Sequence, residues 1–147
     1  KVIYFNRSYI GSIDFPARPA QSIGHVMRES DIVSIHLPGD KGNHGLINEE
    51  QISLMKDSSF FINTSRGEVV DQKALIEALR TRKIAGGGLD VFENEPNIPQ
   101  SLIDLDNVTL LPHIGSATKE CRDEMGLLAV ENLISYFGEK DCPNRVV

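Results

Sequence analysis

Ser59-Phe60-Phe61-Ile62-Asn63-Thr64-Ser65-Arg66-Gly67 decides how this chain reads. Its first half is a short continuous apolar run, and its second half is a polar turn carrying one arginine and one glycine. Apolar residues that do not alternate with polar ones suit a strand covered on both faces. Immediately upstream, Asn48 reads as a helix N-cap with Gln51 as its capping-box partner, opening a helix that carries Ile52 and Met55. Before it, Asp31 to His36 is a strand closed by Pro38 and Gly39, Gln21 to Glu29 has helical spacing, and Val2 to Phe5 is another strand. Downstream, Asp71 caps a helix with Leu75 and Leu79 on one face, ending near Gly86. Gly88 to Phe92 and Val108 to Leu111 are strands, Glu95 to Pro99 is a loop, and a last helix runs from Thr118 to Phe137 with Met125, Leu128 and Leu133 on its apolar side. Strands alternating with helices predict an α/β fold: βαβ units, a parallel sheet and helices on both of its faces.

The composition agrees. The chain has 147 residues, 40% of them hydrophobic and 24% charged, with no internal repeat or low-complexity tract. A compact chain of this length buries about 68–70% of its unfolded surface, enough for a real core. Disorder, collagen and a disulfide scaffold are excluded by these proportions. With 15 Lys+Arg against 21 Asp+Glu, the net charge of −6 argues against nucleic acid or an anionic membrane as a partner. No apolar run approaches the ~20 residues that cross a bilayer. Cys121 and Cys142 lack metal-site spacing and read as two reduced thiols of a cytoplasmic protein; no metal is expected. There is no signal-peptide layout at Lys1. The sequence opens inside a strand-like run without methionine, so a longer chain is expected.

In parallel sheets, ligands sit beyond the carboxyl ends of the strands. The segments to read are therefore Asn6-Arg7-Ser8, His36-Leu37-Pro38, Thr64 to Gly67, Asp90 to Pro96 and Pro112 to Ser116, and they are expected to converge on one crevice. Arg66 offers a planar fork of donors that fits a carboxylate. Taken singly, Arg66 is a surface arginine, Glu95 a solvated loop acid and His113 a structural histidine. As a set they change meaning. A carboxylate beside an imidazole raises its pKa toward working pH and fixes its orientation. With an arginine facing the same space, the three make a device for moving a proton at an oxygen next to a carboxylate. Asp90 is placed to hold a cofactor amide.

Three runs, Ile62 to Gly67, Gly88 to Pro96 and Leu111 to Thr118, occur in that order, supported by Ser30 to Pro38 and Gly45 to Asn48. Together they resemble the signature series of the D-2-hydroxyacid dehydrogenases, and among these the glyoxylate/hydroxypyruvate reductases, over nearly the whole chain. The resemblance implies a Rossmann-type doubly wound sheet and an NAD(P)-dependent reductase of small 2-oxo acids. It implies that Arg66 binds the substrate carboxylate and that His113 protonates the carbonyl oxygen as hydride arrives. Glu95 keeps His113 protonated. Asp90 meets the nicotinamide carboxamide, Thr64, Ser65 and Gly115 line the nicotinamide side, and Leu37 and Pro38 border the cofactor cleft. Glutamate at position 95 separates the chain from the formate dehydrogenase branch, whose histidine partner is glutamine. A homodimer is expected by analogy.

At the strand that reads the adenosine ribose, an acid would favour NAD. Here stand Asn6, Arg7 and Ser8, which suit a 2′-phosphate, so NADP(H) is expected over NAD(H). No G-x-G-x-x-G occurs; Gly86-Gly87-Gly88 reads as a helix stop with close packing, and Gly39, Gly42 and Gly45 read as a loop. The resemblance explains this by placing the first strand and phosphate loop ahead of Lys1, with a separate substrate domain mostly before them. Residues 1–147 are then expected to be the later portion of a nucleotide-binding domain, inactive alone, in which the strands at Val2–Phe5 and Ser59–Asn63 lack their common neighbour. Two other classes remain open on sequence: a dinucleotide-sensing corepressor-like binding module that keeps the same three residues, and a receiver-like signalling domain. The latter wants an acidic cluster where Asn6-Arg7-Ser8 stands.

Overall fold

The computed structural model describes residues 1–8, 10–11 and 13–146. They form two compact units, Lys1–Pro112 and His113–Val147. The first unit is α/β with only parallel pairing. Strands β1 (Val2–Tyr4) and β2 (Ala17–Pro19) form one sheet. Strands β3 (Ile32–Ile35), β4 (Phe60–Asn63), β5 (Gly86–Leu89) and β6 (Val108–Leu110) form the other, in that order. Between them run helices α1 (Ile23–Glu29), α2 (Glu49–Ser53), α3 (Gln72–Arg80) and α4 (Gln100–Ile103), and a 3₁₀ turn at Gly67–Val69.

The helices start where side-chain caps allow. Ser22 accepts from the His25 N–H, Asn48 from the Gln51 N–H, and Asp71 from the Lys73 and Ala74 N–H groups. The capping box at Asn48 is half made: Gln51 Oε1 is buried without a hydrogen-bond partner, so it does not reach back to the cap. The core lies along the second sheet, with Phe61, Val33, Ile35 and Leu89 packed with Ile52, Met55, Leu75, Leu79, Ile84 and Leu102. At the amino ends of the strands, Lys56 Nζ donates to the Glu29 carbonyl and Asp31, and Lys83 Nζ to the Met55 carbonyl and Asp57. That end is tied by structural ion pairs, which leaves the carboxyl end for chemistry.

The structure corrects four expectations. The fifth strand is Gly86–Leu89, not Gly88–Phe92, and α3 ends at Arg80, six residues before Gly86. The glycine triplet is a strand because its neighbours press on it: a Cβ on Gly86 would lie 2.6 Å from the Asn107 carbonyl oxygen, and one on Gly87 3.1 Å from that of Phe61. Strand β2 is absent from the sequence reading. Once it is counted, the expected break moves. Phe60–Asn63 is paired on both sides, by β3 and β5. The discontinuity lies between β1 and β3, whose residues line a common cleft of about 1900 Å³. Strand order thus runs outward from the break in both directions, as in a doubly wound sheet.

The second unit is built on α5 (Lys119–Phe137), capped by Thr118, whose Oγ1 accepts from the Cys121 N–H. Asn132 fastens the following segment to it, donating to the Asn144 side chain and accepting from the Asn144 N–H. Met125, Leu128 and Leu133, read as the apolar side of this helix, are all exposed; among its described residues the helix buries none. No helix among the described residues is long and apolar enough to cross a membrane.

Two glycines should respond oppositely to alanine. Gly86→Ala overpacks the β5–β6 junction and should cost about 1–3 kcal/mol. Gly126→Ala, in α5 with nothing within 4 Å of a new Cβ, should gain about 0.5–1 kcal/mol. Urea unfolding of both variants checks the pair; equal responses would contradict the packing of Gly86.

Candidate active site

Because every strand of the second sheet runs the same way, Thr64 after β4 and Asp90 after β5 leave at one edge. The Asn63↔Leu89 register continues into an Asp90 N–H to Asn63 carbonyl bond of 3.0 Å. Asn63 is buried, and its side chain shapes the turn that follows. Its Oδ1 accepts from the Ser65 N–H and hydroxyl (3.0 and 2.9 Å), and its Nδ2 donates to the Arg66 carbonyl (2.9 Å). Arg66 emerges from this turn with its side chain exposed and Nη1 donating to the Ser65 carbonyl (2.7 Å).

Arg66 is held between two other carboxyl-end segments. On one side lies the loop after β3. A Cβ on Gly39 would come within 2.9 Å of Arg66 Cγ, so the arginine stem rests on bare backbone. On the other side Gly67 is buried, and any Cβ there would fall into the Phe92 carbonyl and the Glu93 nitrogen. The Arg66 turn and the Asp90–Pro96 loop are thus in backbone contact. Within that loop the Phe92 N–H donates to Glu95 Oε1 (2.9 Å) and the Glu93 N–H to Gln72 Oε1 (3.2 Å). Glu95 is exposed and Asp90 buried.

Asn6, Arg7, Ser8, Leu37 and Pro38 all line the cleft between β1 and β3. Asn6 Nδ2 donates to the Ser8 carbonyl (2.9 Å), which closes a turn around the exposed Arg7. Buried Asn43 donates to the Pro38 carbonyl (3.0 Å) and fixes the opposite wall. The cleft thus has a polar, cationic end at Arg7 and an apolar wall at Leu37 and Pro38. Among the described residues no group of three His, Cys, Asp or Glu side chains is arranged to hold a metal ion.

His113 and Gly115 belong to the second unit. His113 has φ 55°, the left-handed region, where a residue with a Cβ is uncommon and which recurs at functional sites. A turn closed by the Ala117 N–H on the Ile114 carbonyl leads from it to the α5 cap.

Four residues that shape the site were not singled out from sequence: Gly39, Asn43, Asn63 and Gln72. Asn63 carried a signal, a polar residue ending an apolar run. Gly39 and Gln72 depend on contacts between segments far apart in the chain, and Asn43 on bonds to Pro38 and Asp40 within its own loop.

The D-isomer specific 2-hydroxyacid dehydrogenase NAD-binding domain matches residues 1–115. A glyoxylate reductase of Thermococcus litoralis is 43% identical over 99% of this chain and 44% of its own length. The structure of an NADPH-dependent glyoxylate/hydroxypyruvate reductase from Sinorhizobium meliloti, in complex with NADP and malonate, superposes with a TM-score of 0.91 at 34% identity. It is matched over 98% of this chain and 44% of that one. The holo form of D-mandelate dehydrogenase from Rhodotorula graminis gives 0.87 at 36% identity, over 91% and 40%. The chain therefore spans less than half the length of these relatives.

Replacing Asn63 by leucine removes the partners of two backbone groups and one hydroxyl at once. It should cost about 1–3 kcal/mol by urea unfolding, since the groups left behind are part-buried. An unchanged midpoint would show that the turn does not depend on this side chain.

Proposed function

The chain belongs to the D-isomer specific 2-hydroxyacid dehydrogenase family, through its NAD-binding domain, and we propose that it serves a hydride-transferring oxidoreductase. The substrate is a small 2-oxo acid of the glyoxylate or hydroxypyruvate type, reduced to the 2-hydroxy acid, D where C2 is stereogenic, with NADP(H) preferred. The observation that carries the reading is the backbone contact at Gly67, which sets an arginine fork and a glutamate-bearing loop side by side at the carboxyl edge. The family match and the similarity to reductases named for glyoxylate and hydroxypyruvate support the substrate class.

In this reading Arg66 takes the substrate carboxylate in a two-pronged grip and draws electron density from the C2 carbonyl. The nicotinamide, when bound, supplies the hydride that adds to C2. His113 gives its proton to the oxygen that receives the carbonyl electron pair. Glu95 holds the imidazole in its protonated form until that transfer. Asp90 orients the carboxamide end of the cofactor, and Thr64, Ser65 and Gly115 line the ring. Arg7, aided by Asn6 and Ser8, pairs with the 2′-phosphate, and Leu37 and Pro38 cover the adenosine side. A cytoplasmic homodimer goes with this reading by analogy within the family.

The test is NADPH oxidation by the complete gene product with glyoxylate and hydroxypyruvate. His113→Ala should lower kcat by about 10²–10⁴-fold, the usual contribution of a positioned acid. Arg7→Ala should raise the KM for NADPH by about tenfold, one lost charge-assisted contact, and leave that for NADH unchanged. The 147-residue chain alone should reduce no glyoxylate. Full activity in the His113 variant, or in the isolated chain, would overturn these assignments.

A further inference from the structure

One continuous stretch, Arg66 to Gln72, touches the Glu95 loop at two points. Gly67 lies against the peptide unit that joins Phe92 to Glu93, so closely that no Cβ fits between them. Gln72, first residue of α3 and buried, takes the N–H of that same peptide unit on its Oε1 at 3.2 Å. Its backbone is fixed by the Asp71 cap on one side and the helix on the other. The preceding N–H, that of Phe92, donates to Glu95 Oε1 at 2.9 Å. A peptide unit pressed on one face and held by its N–H does not rotate. Rotation would change the torsions on either side of it and carry Glu95 away from its donor. Arg66 sits at the other end of the stretch, so the clamp also fixes the spacing between the guanidinium turn and the carboxylate loop.

We propose that Gln72 is a positioning residue for the reaction: by holding the Phe92–Glu93 peptide against Gly67, it sets where Glu95 stands relative to Arg66. The inference rests on the role given to Glu95 above. It requires an oxygen acceptor at position 72, not an amide as such. A carboxylate there keeps the acceptor and is favoured in the first turn of a helix, where the backbone N–H groups make the potential positive. Methionine keeps the shape and loses the acceptor.

The experiment compares Gln72→Met, Gln72→Glu, Glu95→Gln and the Gln72→Met/Glu95→Gln pair in the complete gene product. Gln72→Met should lower kcat by about tenfold, the scale of a small displacement of a catalytic group, with the KM for NADPH unchanged. Gln72→Glu should restore kcat to within about threefold of the parent, well under the cost of a lost hydrogen bond to a charged acceptor. Amide exchange at Glu93 should quicken by about tenfold in the methionine variant and not in the glutamate variant. In the pair, the methionine should add no further loss, because Glu95 is the group it acts through. If Glu95→Gln itself leaves kcat unchanged, the catalytic reading of Glu95 fails and this inference with it. If Glu95→Gln is impaired but Gln72→Met keeps its kcat, or Gln72→Glu falls as far as Gln72→Met, the inference alone is overturned.

Discussion

The contact of the Gly67 backbone with the Phe92–Glu93 peptide is the constraint on which the arrangement of the site depends. It joins two loops that leave neighbouring strands and that would otherwise diverge. Glycine is required there by space: a side chain of any size would occupy the position of the Phe92 carbonyl. Around this contact the polar side chains are spent on backbone groups. Asn63 shapes the Ser65–Arg66 turn, Gln72 holds the Glu93 N–H, and Asn43 fixes Pro38. Buried amides in these places satisfy loop peptides that no strand or helix can pair.

The parallel sheet supplies the rest of the placement. With all strands of β3–β6 running one way, their carboxyl ends share an edge, and the segments that follow β3, β4 and β5 leave from it. Structural ion pairs of Lys56 and Lys83 occupy the other edge. The division of labour follows from the backbone: one edge closes the fold and the other is left to the loops that carry the exposed Arg66 and Glu95.

Much of this was legible. Two side-chain caps, at Asn48 and Asp71, four strands and the loops that carry Arg66, Asp90 and Glu95 follow from local spacing and cap chemistry, because those signals act within a few residues. Strand β2 was not legible. It is three residues long, includes Arg18 and Pro19, and has one partner; no apolar run announces it. The glycine triplet was half legible: the close packing read for it is there, with Asn107 and Phe61 pressing against it from other segments, but it lies in β5 and does not stop α3. Half of the Asn48 capping box failed because Gln51 Oε1 is buried by packing that the four-residue motif does not contain.

The sequence by itself determined the α/β class, the parallel pairing, the starts of α2, α3 and α5 and the residues with chemistry to offer. Each is written in periodicity or in the donors and acceptors of neighbouring residues. Only the tertiary structure decided where the sheet breaks, why Gly39, Gly67 and Gly86 are glycines, and that Gln72 and Asn63 serve the loops bearing Glu95 and Arg66. Those facts are distances between atoms of remote segments, and close packing fixes them only after the chain has folded.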